Sequence, residues 1–192
     1  HNPYYDNGIK FFSNNGEKLS DEIELEIERE IDKCEDYQKV DGFKFYSDFC
    51  KEKFNLDLSN LRVAFDCANG SFYDFAPKIL RDLGAKVSVI FAEPNGKNIN
   101  DGCGSTHIQT LSDYVKSGDF DIGFSFDGDG DRVMVVRSDG KVLDGDFILG
   151  LLAKYLKSQG KLNNNSLVLT VMSNLGLKIF LKEENIDIIE TG

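Results

Sequence analysis

Asp121-Ile-Gly-Phe-Ser-Phe126-Asp127-Gly-Asp-Gly-Asp-Arg132 decides how this chain is read. Asp121–Phe126 has the short apolar run of a buried strand, and it passes without a linker into a loop of alternating carboxylates and glycines. Upstream, Leu61–Asp66 and Val87–Phe91 carry the same strand signature. Between them lie the turn signal Asn69-Gly70 and a helical stretch, Phe72–Leu83, that Gly84 ends. Ala92–His107 reads as a long loop and Ile108–Lys116 as a helix. Downstream, Val133–Val136 is a strand with a turn at Ser138-Asp139-Gly140. Asp146–Lys157, Leu167–Val171, Leu175–Glu184 and Ile186–Ile189 then read helix, strand, helix, strand. Strands alternating with helices predict an α/β fold of mixed, mostly parallel βα-repeat sheets.

The N-terminal part is different. His1–Gly16 is loop-rich, with turn signals at Asn7-Gly8 and Asn15-Gly16. Ser20 can cap a helix whose apolar positions are Ile23, Ile27, Ile31 and Cys34. A second helix is expected over Val40–Phe54, with Glu35–Lys39 as the linker.

Composition narrows the function. The chain has 192 residues, 41% hydrophobic and 29% charged, which is the balance of a folded protein rather than a disordered one. Its net charge of -11 disfavours nucleic acid or an anionic membrane as partner. The longest clean apolar run, Phe147–Ala153, is far short of the ~20 residues needed to span a bilayer. Cys34, Cys50, Cys67 and Cys103 are widely spaced, with no Cys-x-x-Cys, so neither a zinc site nor a disulfide framework fits. A reducing cytoplasm is the expected location.

The chemistry concentrates in Asp127, Asp129 and Asp131. Three carboxylates within five residues repel one another unless a cation sits between them. Glycines at 128 and 130 let the backbone curl so that the oxygens converge. Hard oxygen donors of this kind suit Mg²⁺, and Arg132 can make a bidentate contact to a phosphate. The position, at the carboxyl end of a strand of an open sheet, is where such folds bind ligands. An acidic surface turn is the competing reading. An EF-hand fits poorly, because positions six and twelve of its loop would be Arg132 and Ser138. A haloacid-dehalogenase-type nucleophilic aspartate is a further alternative, though the pattern is not its usual form.

Asp127-Gly-Asp-Gly-Asp-Arg132 resembles the metal loop of the α-D-phosphohexomutase superfamily. His1-Asn2-Pro3 followed by Asp6-Asn7-Gly8-Ile9-Lys10 resembles the segment directly after that family's phosphorylated serine. Asn98-Ile99-Asn100, Cys103-Gly104-Ser105-Thr106-His107, Asp144-Gly145-Asp146 and Val171-Met172-Ser173-Asn174 resemble the phosphoglucosamine mutase branch. The motifs follow the family's order from His1 to Gly192.

The resemblance implies an isomerase that interconverts glucosamine 6-phosphate and glucosamine 1-phosphate through a phosphoserine and a bisphosphate intermediate. It implies one Mg²⁺ per active site, held by Asp127, Asp129 and Asp131 with a serine phosphate oxygen. Arg132 would contact the moving phosphoryl group, Lys10 would transfer the proton, and His1 would sit beside the serine. Plain alternatives stand for each: His1 as an exposed loop histidine and Lys10 as a solvated lysine. Cys103 and His107 are expected to shape a loop. The expected partner is a small phosphosugar, and a homodimer stays open. A phosphomannomutase/phosphoglucomutase, or a non-catalytic Mg²⁺- or Ca²⁺-binding module, are the rival functions.

The serine should immediately precede His1, and the family's sugar-recognition and phosphate-binding loops would lie beyond Gly192. The expectation is therefore an internal piece of a longer protein: 1–38 as the tail of a first domain with its linker, 39–142 as a complete second domain, and 143–192 as the start of a third. Such a piece could hold a metal ion but should not complete a turnover.

Overall fold

The computed structural model describes residues 2–6, 11–30, 42–54 and 56–192. The expected turn at Asn7-Gly8, the positions Ile31 and Cys34, the linker Glu35–Lys39 and the helix start at Val40 lie outside the described residues.

Among the described residues two helices come first, α1 (Asp21–Glu30) and α2 (Gly42–Phe54). A five-stranded sheet follows, built from β1 (Arg62–Asp66), β2 (Lys86–Ile90), β3 (Ile122–Phe126), β4 (Val133–Arg137) and β5 (Val142–Leu143). Its order is β2-β1-β3-β4-β5. β1 lies parallel to β2 and β3, whereas β3–β4 and β4–β5 are antiparallel. The connecting helices are α3 (Phe75–Asp82) and α4 (Gln109–Ser117). The mixed α/β class is as expected.

Period-two alternation in β1 splits the core between the two faces of the sheet. Val63 and Phe65 point to the side that holds Ala76 of α3 and Ala85. Ala64 points to the other, with Leu111 and Val115 of α4 and Val136 of β4. Gly123 in β3 lets α4 come close, since a Cβ there would lie 2.6 Å from a Val115 methyl. Phe65 stacks on Phe124 and Phe126 with ring centroids 5.5 and 5.7 Å apart. Truncating fully buried Leu111 to Ala should cost about 2–5 kcal/mol.

A second unit contains α5 (Gly145–Ser158), β6 (Ser166–Thr170), α6 (Leu175–Glu183) and β7 (Asp187–Thr191), with β6 and β7 parallel. Asp144 caps α5 by accepting from the Phe147 amide, and Asn174 caps α6 by accepting from the Leu177 amide, both at 2.8 Å. Asp146 ties the two together by accepting from the Asn174 amide at 3.0 Å. Ala153, Leu169, Leu177, Leu181 and Ile186 form this unit's core. Among the described residues no helix is long and apolar enough to cross a membrane.

One expectation needs correction, and two further features add to the sequence pattern. α3 begins at Phe75 rather than Phe72. The residues before it are spent on turns: the Ser71 amide donates to Gly128 O and the Tyr73 amide to Gly70 O. β4 runs antiparallel to β3, because a loop of six residues reverses the chain where a parallel pairing needs a long crossover. The pair Val142–Leu143 forms a further short strand that the sequence pattern did not predict.

Candidate active site and metal loop

The carboxyl ends of β1 and β3 carry the site. Phe126 pairs with Val133, so residues 127–132 form the loop that closes an antiparallel pair. The Gly130 amide donates to Asp127 O at 3.0 Å, with Gly130 at φ +75°. The Arg132 amide returns to Asp127 Oδ1 at 3.1 Å. These bonds fold the three carboxylates together. One oxygen each from Asp127, Asp129 and Asp131 lie within 4.8 Å of one another.

In an octahedral Mg²⁺ shell with bonds of about 2.1 Å, adjacent oxygens lie about 3.0 Å apart and opposite ones about 4.2 Å, so this set would contract to hold one ion. The larger Ca²⁺ shell would need less movement. Asp127 is buried, while Asp129 and Asp131 are exposed. Burial pushes the Asp127 carboxyl up, and the hydrogen bonds it accepts, the Arg132 amide foremost among them, hold it below its ordinary value. Arg132 Nε lies 3.7 Å from Asp127 and 3.9 Å from Asp131, loose contacts on an exposed side chain.

Neighbouring loops shape this one. Gly70 abuts it so closely that a Cβ there would fall 2.3 Å from Gly128 O. A Cβ on Gly130 would strike the Phe72 ring at 2.8 Å, and Phe72 itself packs edge-on to Phe126 at 5.1 Å. Beneath, Asp66 is fully buried and accepts from the Ala68 amide at 2.9 Å and the Gly104 amide at 2.8 Å. Burial raises its carboxyl above the ordinary value, against those two bonds. Asn69 accepts from the Glu93 amide at 3.1 Å and donates to Asn98 O at 3.3 Å.

Asn2, Tyr4, Tyr73, Ile99, Asp127 and Arg132 are among the residues that line a cleft of about 700 Å³. The opening segment and the acidic loop thus face one space, although Asn2 and Asp127 are 125 positions apart in the chain. His1 and Lys10 lie outside the described residues. Cys103 is buried, and burial pushes its thiol up to about 11, the state of an inert packing group. His107 is exposed beside Thr106 at 3.2 Å. Asp66, Gly70 and Asn100 were not assigned roles by sequence reasoning. Their signals were an acid ending a buried strand, the Asn69-Gly70 turn and the Asn98-Ile99-Asn100 motif.

Profiles of phosphoglucomutase/phosphomannomutase α/β/α domains I, II and III match residues 1–38, 44–140 and 144–192 in that order. The chain belongs to the phosphoglucomutase/phosphomannomutase family. Among its relatives, a phosphoglucosamine mutase of Clostridium beijerinckii is 47% identical over 207 residues, covering 100% of this chain and 46% of that protein. A phosphoglucosamine mutase of Acetivibrio thermocellus is 48% identical over 204 residues, covering 100% of this chain and 45% of that one. The chain therefore spans about half the length of these curated relatives. A crystal structure of a phosphoglucomutase/phosphomannomutase family protein from Burkholderia thailandensis superposes with a TM-score of 0.71 at 26% identity, over 90% of this chain and 39% of that one. Within the family, the acidic loop belongs to the part matched by domain II and the opening segment to the part matched by domain I.

Proposed function

We propose that the full-length protein is a phosphoglucosamine mutase, an isomerase that moves phosphate between the 6- and 1-positions of glucosamine phosphate. The observation that carries this reading is the convergence of Asp127, Asp129 and Asp131 on a cleft that the opening segment also lines. A phosphoserine preceding His1 would give its phosphoryl group to the 1-hydroxyl. The bisphosphate would turn over, and the serine would recover a phosphoryl group from the 6-position. Phosphoryl transfer needs positioning and charge neutralisation more than covalent chemistry. Asp127, Asp129 and Asp131 would hold Mg²⁺, which supplies charge neutralisation at the moving phosphoryl group. Arg132 would hold a phosphate oxygen, and Lys10 would carry the proton of the attacking hydroxyl.

The relatives at 47% and 48% identity support glucosamine as the sugar. The family description, which names glucose and mannose phosphates, supports a phosphomannomutase/phosphoglucomutase as the second reading. The test is a substrate panel with the full-length protein: glucosamine, mannose and glucose 6-phosphates, each with Mg²⁺. Preference for glucosamine 6-phosphate supports the first reading, and preference for mannose or glucose supports the second. No turnover of any of them leaves a cation-binding module. Residues 1–192 alone should show no turnover, because binding energy from remote substrate groups contributes to catalysis.

A further inference from the structure

Asn100 occupies a junction. Its backbone is left-handed, at φ +57°, a conformation asparagine tolerates better than most residues. Its amide N–H donates to Ala68 O at 3.0 Å, which anchors it to the turn after β1. That turn is itself pinned from below by the buried carboxylate of Asp66. Asn100 Nδ2 donates to Asn2 O at 2.9 Å, a bond between residues 98 positions apart. The same Nδ2 lies 2.5 Å from where a Cβ on Gly128 would sit, so it packs directly against the backbone of the acidic loop. One amide nitrogen therefore meets the opening segment on one side and the carboxylate loop on the other.

We infer that Asn100 is a positioning residue. It sets how far the serine-bearing segment stands from Asp127, Asp129 and Asp131. The inference rests on the mutase reading only in taking the residue before His1 as the phosphoryl carrier. The physical argument is one of reach. Among the described residues, the segment of Asn2 contributes no strand to either sheet, and the bond to Asn100 ties it to the turn after β1. The Asn100 side chain is short, and its backbone is held by Ala68, so the bond to Asn2 O transmits a defined position rather than a flexible tether. Glutamine would overreach, and alanine would lose the donor and strain the left-handed backbone.

The test uses the full-length protein with Asn100→Gly, which keeps the backbone freedom and removes the amide, and Asn100→Asp, which keeps the shape and turns an acceptor toward Asn2 O. Expected for both is a fall in kcat of about 10²-fold, the scale of a misplacement of about 1 Å. KM should stay within about twofold. Hydrogen exchange at residues 2–6 should rise. The melting temperature, and Mg²⁺ affinity of dephosphorylated Asn100→Gly by calorimetry, should hold. Unchanged exchange at residues 2–6 overturns the inference, as does a kcat within about twofold of an active wild type. A parallel loss of melting temperature and Mg²⁺ affinity in Asn100→Gly also overturns it, because Asn100 would then be holding up the loop itself. If wild type turns over no phosphosugar, the mutase reading fails, and the exchange measurement alone decides the positioning role.

Discussion

Two groups of aspartates sit at opposite ends of the five-stranded sheet, and each includes one arginine. At the end where β1 and β3 begin, Arg62 reaches Asp121 in a bidentate contact, at 2.9 and 3.2 Å, and also pairs with Asp119. The Arg62 backbone amide adds a third bond to Asp121 at 2.8 Å. Hydrogen bonds from Arg62 hold the Asp121 carboxyl down at about 2. At the end where β3 stops, three carboxylates converge and Arg132 comes no nearer than 3.7 Å to two of them. In the first group both carboxylates pair directly with their arginine. The second brings three carboxylates together in a cleft, on a loop whose glycines permit close packing, with its arginine only loosely placed. An acid-rich sequence does not separate these two cases. The position of the cation does.

The sharpest break comes from shape. Gly70→Ala would drive a Cβ into Gly128 O, a backbone atom with no freedom to give. Overpacking of this kind costs about 1–3 kcal/mol, and here it should also splay the acidic loop. Chemical denaturation and Mg²⁺ calorimetry should both report large losses. Retention of wild-type Mg²⁺ affinity would mean that the contact with Gly128 does not shape the loop.

Charge at the site comes next. Asp129→Asn keeps the size of an exposed side chain and removes one charge. Mg²⁺ affinity should fall by at least about tenfold, the loss that even outer-shell changes produce, with turnover partly restored at high Mg²⁺. Equal affinity in calorimetry would withdraw the metal assignment.

Charge at the opposite end should affect stability and not the metal. Arg62→Met leaves Asp119 and Asp121 facing each other without a cation. The Asp121 carboxyl is held below the ordinary 3.8 in the folded state, so its contribution is present above that value and lost as pH falls through about 2. The stability gap between wild type and Arg62→Met should therefore be full near neutrality and close in acid. Thermal melts across that range would show it, and a gap independent of pH would assign the effect to packing instead.

The smallest change is the control. Asp113 lies exposed on α4 and accepts from Gln109 Nε2 at 2.9 Å. Asp113→Asn should shift stability by no more than about 0.5 kcal/mol, as surface substitutions do, and leave Mg²⁺ affinity unchanged. An affinity loss matching that of Asp129→Asn would mean that net charge, rather than the loop, attracts the ion.

The acidic loop was legible because its chemistry is local: three acids, two glycines and an arginine in six residues following an apolar strand. β1 and β3 were legible for a similar reason, since a short run buried on both faces must be apolar. The start of α3 was misread because Phe72, Tyr73 and Phe75 look helical, while Ser71 and Tyr73 donate their amides within the turns that meet Gly128 and Gly70. β5 has only two residues, too short to show a period. Asp66 and Asn100 were missed because what distinguishes them is distance in space. Asn100 meets Asn2 and Gly128 only after the chain has folded, and no spacing rule links those positions.

The antiparallel pairing of Phe126 with Val133 has one more consequence. Residues 127–132 are held between two strands, and in β4 the neighbours Val135 and Val136 are both buried, one on each face of the sheet. One inserted residue could not be passed on by sliding β4, since a single-step slip would exchange the faces of Val135 and Val136 and take Val136 away from Leu111 and Val115 of α4. It would have to be absorbed within the loop, where Gly70, Phe72 and Asn100 already occupy the surrounding space. The site can be retuned by substitution, letter for letter, but its length is written into the sheet.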